Sequence, residues 1–145
     1  MGLDIYTSNL HARVGSYSSV HILRLNMIKA SIEYLSQFSN CRNSINLKEF
    51  LKTTFSKNGI DYKMFSEYKT YPYNLLEGLF IFTDHSDCDG IFLPEHSSKI
   101  LETIELIASF MHSCYFSDSN KTHDKFYLYE ILKDSSDNDE VIQFC

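Results

Sequence analysis

Leu79-Phe80-Ile81-Phe82 places four large apolar side chains in consecutive positions, bounded by Gly78 and by the polar stretch 83–90. No side of such a segment can face water cheaply, because each Å2 of apolar surface left wet costs roughly 25 cal/mol. The remainder of the chain must therefore be arranged around it. A short apolar run between turn-forming residues predicts a strand buried on both faces, central in a sheet, over residues 79–83. The chain has 145 residues, 43% of them hydrophobic, including 10 Tyr and 11 Phe. That length supports one core burying roughly two-thirds of the unfolded surface, and the aromatic residues supply its bulk. The expectation is a single α+β domain over residues 1–145.

Leu3 and Ile5 alternate with Asp4 and Tyr6, the period of a half-buried strand over residues 2–8. Residues 9–17 read as a polar loop containing Gly15, with Ser18 or Ser19 as the N-cap of a helix over 20–38. Asn46 followed by Glu49 resembles a capping box and opens a short helix that Asn58-Gly59 ends; the pattern over 60–73 is ambiguous. Pro94 suits a first helical turn, and Ile100, Ile104, Ile107 and Met111 carry a 3.6-residue stripe to His112. Residues 113–122 read as a loop, 124–133 as a helix, 134–140 as an acidic link and 141–144 as a last strand. Assembled, these elements predict a small three- or four-stranded sheet containing 2–8 and 79–83, covered by amphipathic helices near 19–38 and 95–112.

Lys and Arg number 13 against 19 Asp and Glu, a formal charge of -6. Such a chain repels phosphate backbones, which argues against a nucleic-acid polymer as partner. No apolar run is long enough to suggest a membrane span. Cys41, Cys88, Cys114 and Cys145 are scattered without a C-x-x-C pair, and Met1 to Tyr6 lacks the basic-then-apolar pattern of a signal peptide. A reducing cytoplasm is the expected compartment.

Two segments carry more chemistry than such a domain needs. In Gly15-Ser16-Tyr17-Ser18-Ser19, a glycine and small hydroxyl residues ahead of a helix can offer N–H and O–H donors to a phosphate or carboxylate at the positive end of the dipole. Arg24 and His21 follow closely enough to reach the same mouth. The plainer alternative is a turn at Gly15, a serine cap and a solvated Arg24. The P-loop lysine and the three-glycine dinucleotide fingerprint are both missing.

Asp84-His85-Ser86-Asp87-Cys88-Asp89-Gly90 is the densest run of functional groups. Its carboxylates need a cation, a metal, backbone donors or the hydroxyls of a ligand such as a ribose. An EF-hand counted from His85 would place His96 where a bidentate Glu belongs, so that motif is rejected. A transition-metal site needs His11, His21, His96, His112 or His123 brought in by the fold, so no metal and no cofactor is expected. Flanking Asp87 and Asp89 disfavour a Cys88 thiolate. An Asx-type turn with Cys88 packed as a small hydrophobe is the structural alternative. Asp4 and Tyr6, facing away from Leu3 and Ile5, could lie beside the strand-end loops.

Met-Gly-Leu-Asp-Ile-Tyr at the start, Gly-Ser-Tyr-Ser-Ser with His21 and Leu23-Arg24, His-Ser-Asp-Cys-Asp-Gly with Pro94, and the closing Ile-Gln-Phe together resemble a family of small, largely uncharacterised proteins of bacteria and their phages. The resemblance spans the chain. It implies a cytoplasmic α+β domain and singles out Asp4, Tyr6, Gly15, Ser16, Tyr17, Arg24, His85, Ser86, Asp87, Cys88, Asp89 and Gly90, without assigning a reaction. Anion donors in one segment and hydroxyl acceptors in the other suit a small phosphorylated, ribose-containing ligand, with Tyr6 and Tyr17 available to stack on a base. The expected function is non-enzymatic binding of a nucleotide-like ligand through Asp4, Tyr6, Gly15, Ser16, Tyr17, Ser18, Ser19, Arg24, His85, Ser86, Asp87 and Asp89. Given the phage resemblance, capture of a host immune nucleotide signal is its specific form. The alternatives are a metal-dependent hydrolase using His85, Asp87 and Asp89, with Asp4 or a distant His completing the site, and a protein-interaction module. Self-association is compatible with each.

Overall fold

Residues 79–83 are helical. In the computed structural model they belong to α4 (Glu77–Asp84), and Leu79, Phe80 and Phe82 are all buried. A four-residue apolar run has no period of its own, so it fits a helix enclosed all round as well as a central strand. What encloses α4 is α5 (Pro94–Ile107), which continues into a 3-10 turn at Ala108–Phe110. The two backbones touch: a Cβ on Gly78 would lie 2.2 Å from the carbonyl oxygen of Lys99 and 2.5 Å from the Cα of Ile100. Gly78 N–H donates to Thr103 Oγ1 at 3.0 Å. At the rim Lys99 Nζ donates to Glu77 Oε2 at 2.7 Å, and that carboxylate raises the lysine pKa.

The structure describes residues 2–38, 40–56, 59–67, 76–85, 90–111 and 127–144. The expected loop at 113–122, residues 68–73 of the ambiguous stretch and residues 86–89 lie outside them. The described elements form an α+β fold. After β1 (Gly2–Tyr6) come β2 (His11–Ser16), α1 (Tyr17–Leu35) and α2 (Arg42–Thr54). A two-stranded ribbon of β3 (Phe55–Ser56) and β4 (Gly59–Ile60) leads to α3 (Tyr62–Glu67). Beyond α4 are β5 (Ile91–Phe92), α5, α6 (Tyr127–Asn138) and β6 (Ile142–Phe144).

The main sheet is antiparallel, in the order β2-β1-β6-β5. Ile5, Phe92, Ile142 and Phe144 point from it into the core, where they meet Leu23, Met27, Leu79, Ile104 and Leu132. The strands at 2–6 and 142–144 and the helices of α1 and α5 match the expectation; 79–83 is no part of the sheet. The second correction concerns residues 9–17, expected as a loop, of which 11–16 form strand β2. Its sequence, His-Ala-Arg-Val-Gly-Ser, alternates polar and apolar over only four residues before Gly15, too short a repeat to announce a strand, and the register slips between Leu3 and Asp4, which pair with Gly15 and Arg13. Gly15 beside a bulge is a normal strand glycine. The other boundaries moved less. The short helix starts at Arg42, ahead of the Asn46 capping pattern. The acidic link is mostly the last turns of α6, ended by Asp139 at φ 55 with Glu140 N–H donating to Ser135 O, a left-handed C-terminal stop.

The β1–β2 turn is fastened to α6. Thr7 Oγ1 accepts the N–H of Asn9 and of Leu10 and donates to Asp134 Oδ2 at 2.7 Å. Asn138 Nδ2 donates to Asp134 Oδ1 at 2.7 Å. The Thr7 bond, then the Asn138 bond, lower the Asp134 pKa.

Two expectations follow. Gly78→Ala inserts a methyl group between two backbones that cannot separate without unpacking α4, and should cost at least about 2–3 kcal/mol in urea unfolding. Asp134 contributes its stabilisation above the ordinary carboxylate pKa of about 3.9 and loses it as pH falls through the lowered folded value. Unfolding of Asp134→Asn should accordingly depend less on pH than that of the parent below about pH 4, which thermal melts across an acid series will read.

Candidate functional site

The strand directions fix where the two chemically dense segments lie. β1 and β5 run one way, β2 and β6 the other. Ser16 ends β2 opposite Gly2, at one end of the sheet, whereas the register sets Ile91 in the row of Tyr6 and His11, so Gly90 enters β5 about four residues along from Ser16. β2 and β5 are its outer strands, three strand spacings or about 14 Å apart. The expected arrangement at carboxyl ends of neighbouring strands does not hold, because 84–90 precedes its strand.

Gly15 and Ser16 close β2, and α1 begins at Tyr17 with no intervening turn. Ser18 and Ser19 thus lie inside the first helical turn, where helical N–H groups lack intrahelical acceptors.

Arg24 joins the two segments. It sits two turns into α1 with 3% of its surface exposed, and Nη2 donates to Phe82 O at 3.1 Å and to His85 O at 2.6 Å. Its Cζ lies 5.6 Å from the Phe82 ring centre and 5.8 Å from that of Tyr62. A cation on the last carbonyls of α4 meets the negative end of that helix, and a charge buried this deeply needs such acceptors. These bonds employ Arg24 in the fold, where the sequence suggested a solvent-facing anion contact. One turn earlier, His21 Nδ1 and Tyr62 Oη are 3.0 Å apart.

His85 leaves α4 in extended conformation. Its ring packs on Phe92 and Phe144, with centroids at 4.4 and 4.1 Å, and Nε2 is 3.1 Å from Ile91 O. A carbonyl can only accept, so Nε2 carries the proton. Gly90 has φ +100, and a Cβ there would stand 3.3 Å from the His85 ring; both conditions favour glycine. Ser86, Asp87, Cys88 and Asp89 lie outside the described residues.

Asp4 and Tyr6 lie on the sheet face opposite Ile5, as the alternation predicts. Tyr6 is paired with His11, the rings stacked at 4.5 Å and 7°, and His11 Nε2 is 3.3 Å from Asp4 Oδ1. His11 belongs to this group although the sequence offered it only as a distant metal ligand. Four residues separating 6 from 11 were the available sign of a hairpin. The register continues this row through Gln143 to Ile91, all exposed.

Among the described residues no group of three or more His, Cys, Asp or Glu could hold a metal ion, and no helix is long and apolar enough to cross a membrane. Comparison of the chain with protein-family models, curated proteins and solved structures gave no match.

If Arg24 serves the fold, Arg24→Ala should lower ligand-free stability by about 2–3 kcal/mol, the cost of leaving two carbonyls without a donor. Urea unfolding without added ligand is the measurement; an unchanged midpoint would return Arg24 to solvent.

Proposed function

We propose that this protein binds a small phosphorylated, nucleotide-like ligand and holds it without turnover, as a cytoplasmic binding or sequestering protein. The observation that carries this reading is the pair of Arg24 bonds to Phe82 O and His85 O, which tie α1 to the residue that opens the second segment. The first-turn amides of α1 are the phosphate donors, and Asp87 and Asp89 accept from the ribose. The outward row from Tyr6 and His11 to Ile91 supplies an aromatic surface for the base. The likeness of its motifs to phage proteins favours capture of a host nucleotide signal over a metabolic role.

Heat-released small molecules from the purified protein, identified by mass spectrometry, should include a nucleotide. In calorimetric titration with that nucleotide, Asp87→Asn and Tyr6→Ala should each weaken binding by about tenfold, the worth of one charge-assisted hydrogen bond or one stacked ring. Asp87→Asn should leave binding of inorganic phosphate unchanged, since only the sugar uses that acceptor. Release of no nucleotide, with both variants indistinguishable from the parent, would remove the proposal. One equivalent of zinc or manganese, lost in Asp87→Asn, would assign hydrolysis in its place.

A further inference from the structure

Tyr6 and His11 close the β1–β2 hairpin, and their rings lie at 7° with centroids 4.5 Å apart. Burial does not hold the rings parallel, because Tyr6 is 37% exposed and more than half of the His11 side chain is open. Strand pairing reaches them over a short distance. The register slips between Leu3 and Asp4 and leaves three regular pairs beyond it, Asp4–Arg13, Ile5–Ala12 and Tyr6–His11. Asp4 Oδ1 meets His11 Nε2 at 3.3 Å, a long contact beside charge-assisted bonds of roughly 2.7–2.9 Å.

The loop between the rings is held from outside the sheet. Thr7 N–H donates to Leu10 O at 2.9 Å, and Thr7 Oγ1 accepts the N–H groups of Asn9 and Leu10 at 3.2 and 3.0 Å. A hydroxyl that accepts twice has one proton left to give, and Thr7 gives it to Asp134 Oδ2 at 2.7 Å. A charged acceptor polarises the hydroxyl and strengthens the bonds that it receives. Asn9 Nδ2 lies 3.5 Å from Asp134 Oδ1, and Ser8 Oγ donates to Glu140 Oε1. Residues 7, 8 and 9 thus all meet the end of α6. That end is anchored in turn: the buried Ser135 Oγ donates to Glu140 O, so the 2.7 Å bond that joins it to Ser97 Oγ of α5 is one that it accepts.

We infer that Asp134 is the positioning residue for the Tyr6–His11 pair: through Thr7, the end of α6 sets the loop that makes the two rings one flat surface. The bonds run from Ser97 through Ser135 to Glu140 and, one residue from Ser135, to Asp134. The outward face of the sheet therefore takes its local shape from α5 and α6. The inference rests on the function proposed above only for its consequence in binding, because the ring geometry is decided without a ligand.

The test is the NMR shift of the His11 Hδ2 and Hε1 protons in the full chain, which the stacked Tyr6 ring moves upfield; Tyr6→Ala supplies the unstacked value. Thr7→Val keeps the side-chain shape and removes the hydroxyl, and Asp134→Ala removes the acceptor. Each should lose most of the upfield shift. Thr7→Ser, which keeps the hydroxyl, should retain it. Ile131→Val, a core change in the same helix, should also retain it, which separates a lost position from lower overall stability. Folded Thr7→Val and Asp134→Ala proteins with the parent shift, or an Ile131→Val protein that loses it, would overturn the inference. Should Asp134→Ala fail to fold, Thr7→Val decides the matter alone. In calorimetric titration with adenosine monophosphate as probe, Asp134→Ala should bind about tenfold more weakly than the parent, the worth of one stacked ring. If the parent does not bind this probe while the shifts respond as expected, the nucleotide reading falls and the positioning role stands.

Discussion

A buried guanidinium is costly unless its donors find acceptors, and Arg24 Nη2 finds two, Phe82 O in the last turn of α4 and His85 O just beyond it. The rest of the architecture follows from that contact. α4 is apolar on nearly every side, so it needs neighbours all round; α5 supplies one through the Gly78 contact, and the Arg24 bonds secure its end. Holding His85 O sets where the chain leaves α4 and where the His85 ring falls. That ring rests on Phe92 and Phe144, one from each of the two strands that complete the sheet. A single cation thus connects the helical layer to the strand layer.

What could be read from the sequence is what depends on period. The stripe of Ile100, Ile104 and Ile107 reports α5, and the alternation at Leu3 to Tyr6 reports β1 together with the outward position of Asp4 and Tyr6. Where the period is interrupted, the reading fails for a physical reason. The run at 79–82 is too short to show a repeat, and burial on all sides removes the polar face that would have marked a helix. β2 carries a register slip opposite Leu3 and Asp4, which breaks the two-residue alternation inside six residues. Tertiary pairing with β1 holds it as a strand where local composition argues for a loop.

The segments 15–24 and 84–90 stand out in the sequence by their functional groups, and the fold does connect them. The connection runs through chemistry that composition does not reveal. Arg24 resembles a ligand-binding cation because nothing in its neighbours along the chain announces burial; its acceptors lie 58 and 61 residues away. Gly90 reads as a turn glycine, yet its conformation and the closeness of the His85 ring both disfavour a side chain. Dense polar motifs therefore mark places where the backbone is under unusual demands, and the same residues can meet structural and binding requirements together.

The order of strands in the sheet also has a kinetic side. The second strand in space is the first in sequence, and its inner neighbour is the last: Ile5 pairs with Phe144 and Tyr6 with Gln143. The centre of the sheet is thus its longest-range pairing, spanning nearly the whole chain. During synthesis the β1–β2 hairpin and the α4–α5 pair can form early, but they wait as separate pieces until the final strand emerges between them. Chain topology of this kind slows folding, because the entropy of closing the largest loop is lost before its contacts form. The molecule commits to its sheet only after the ribosome has delivered the residues up to Phe144.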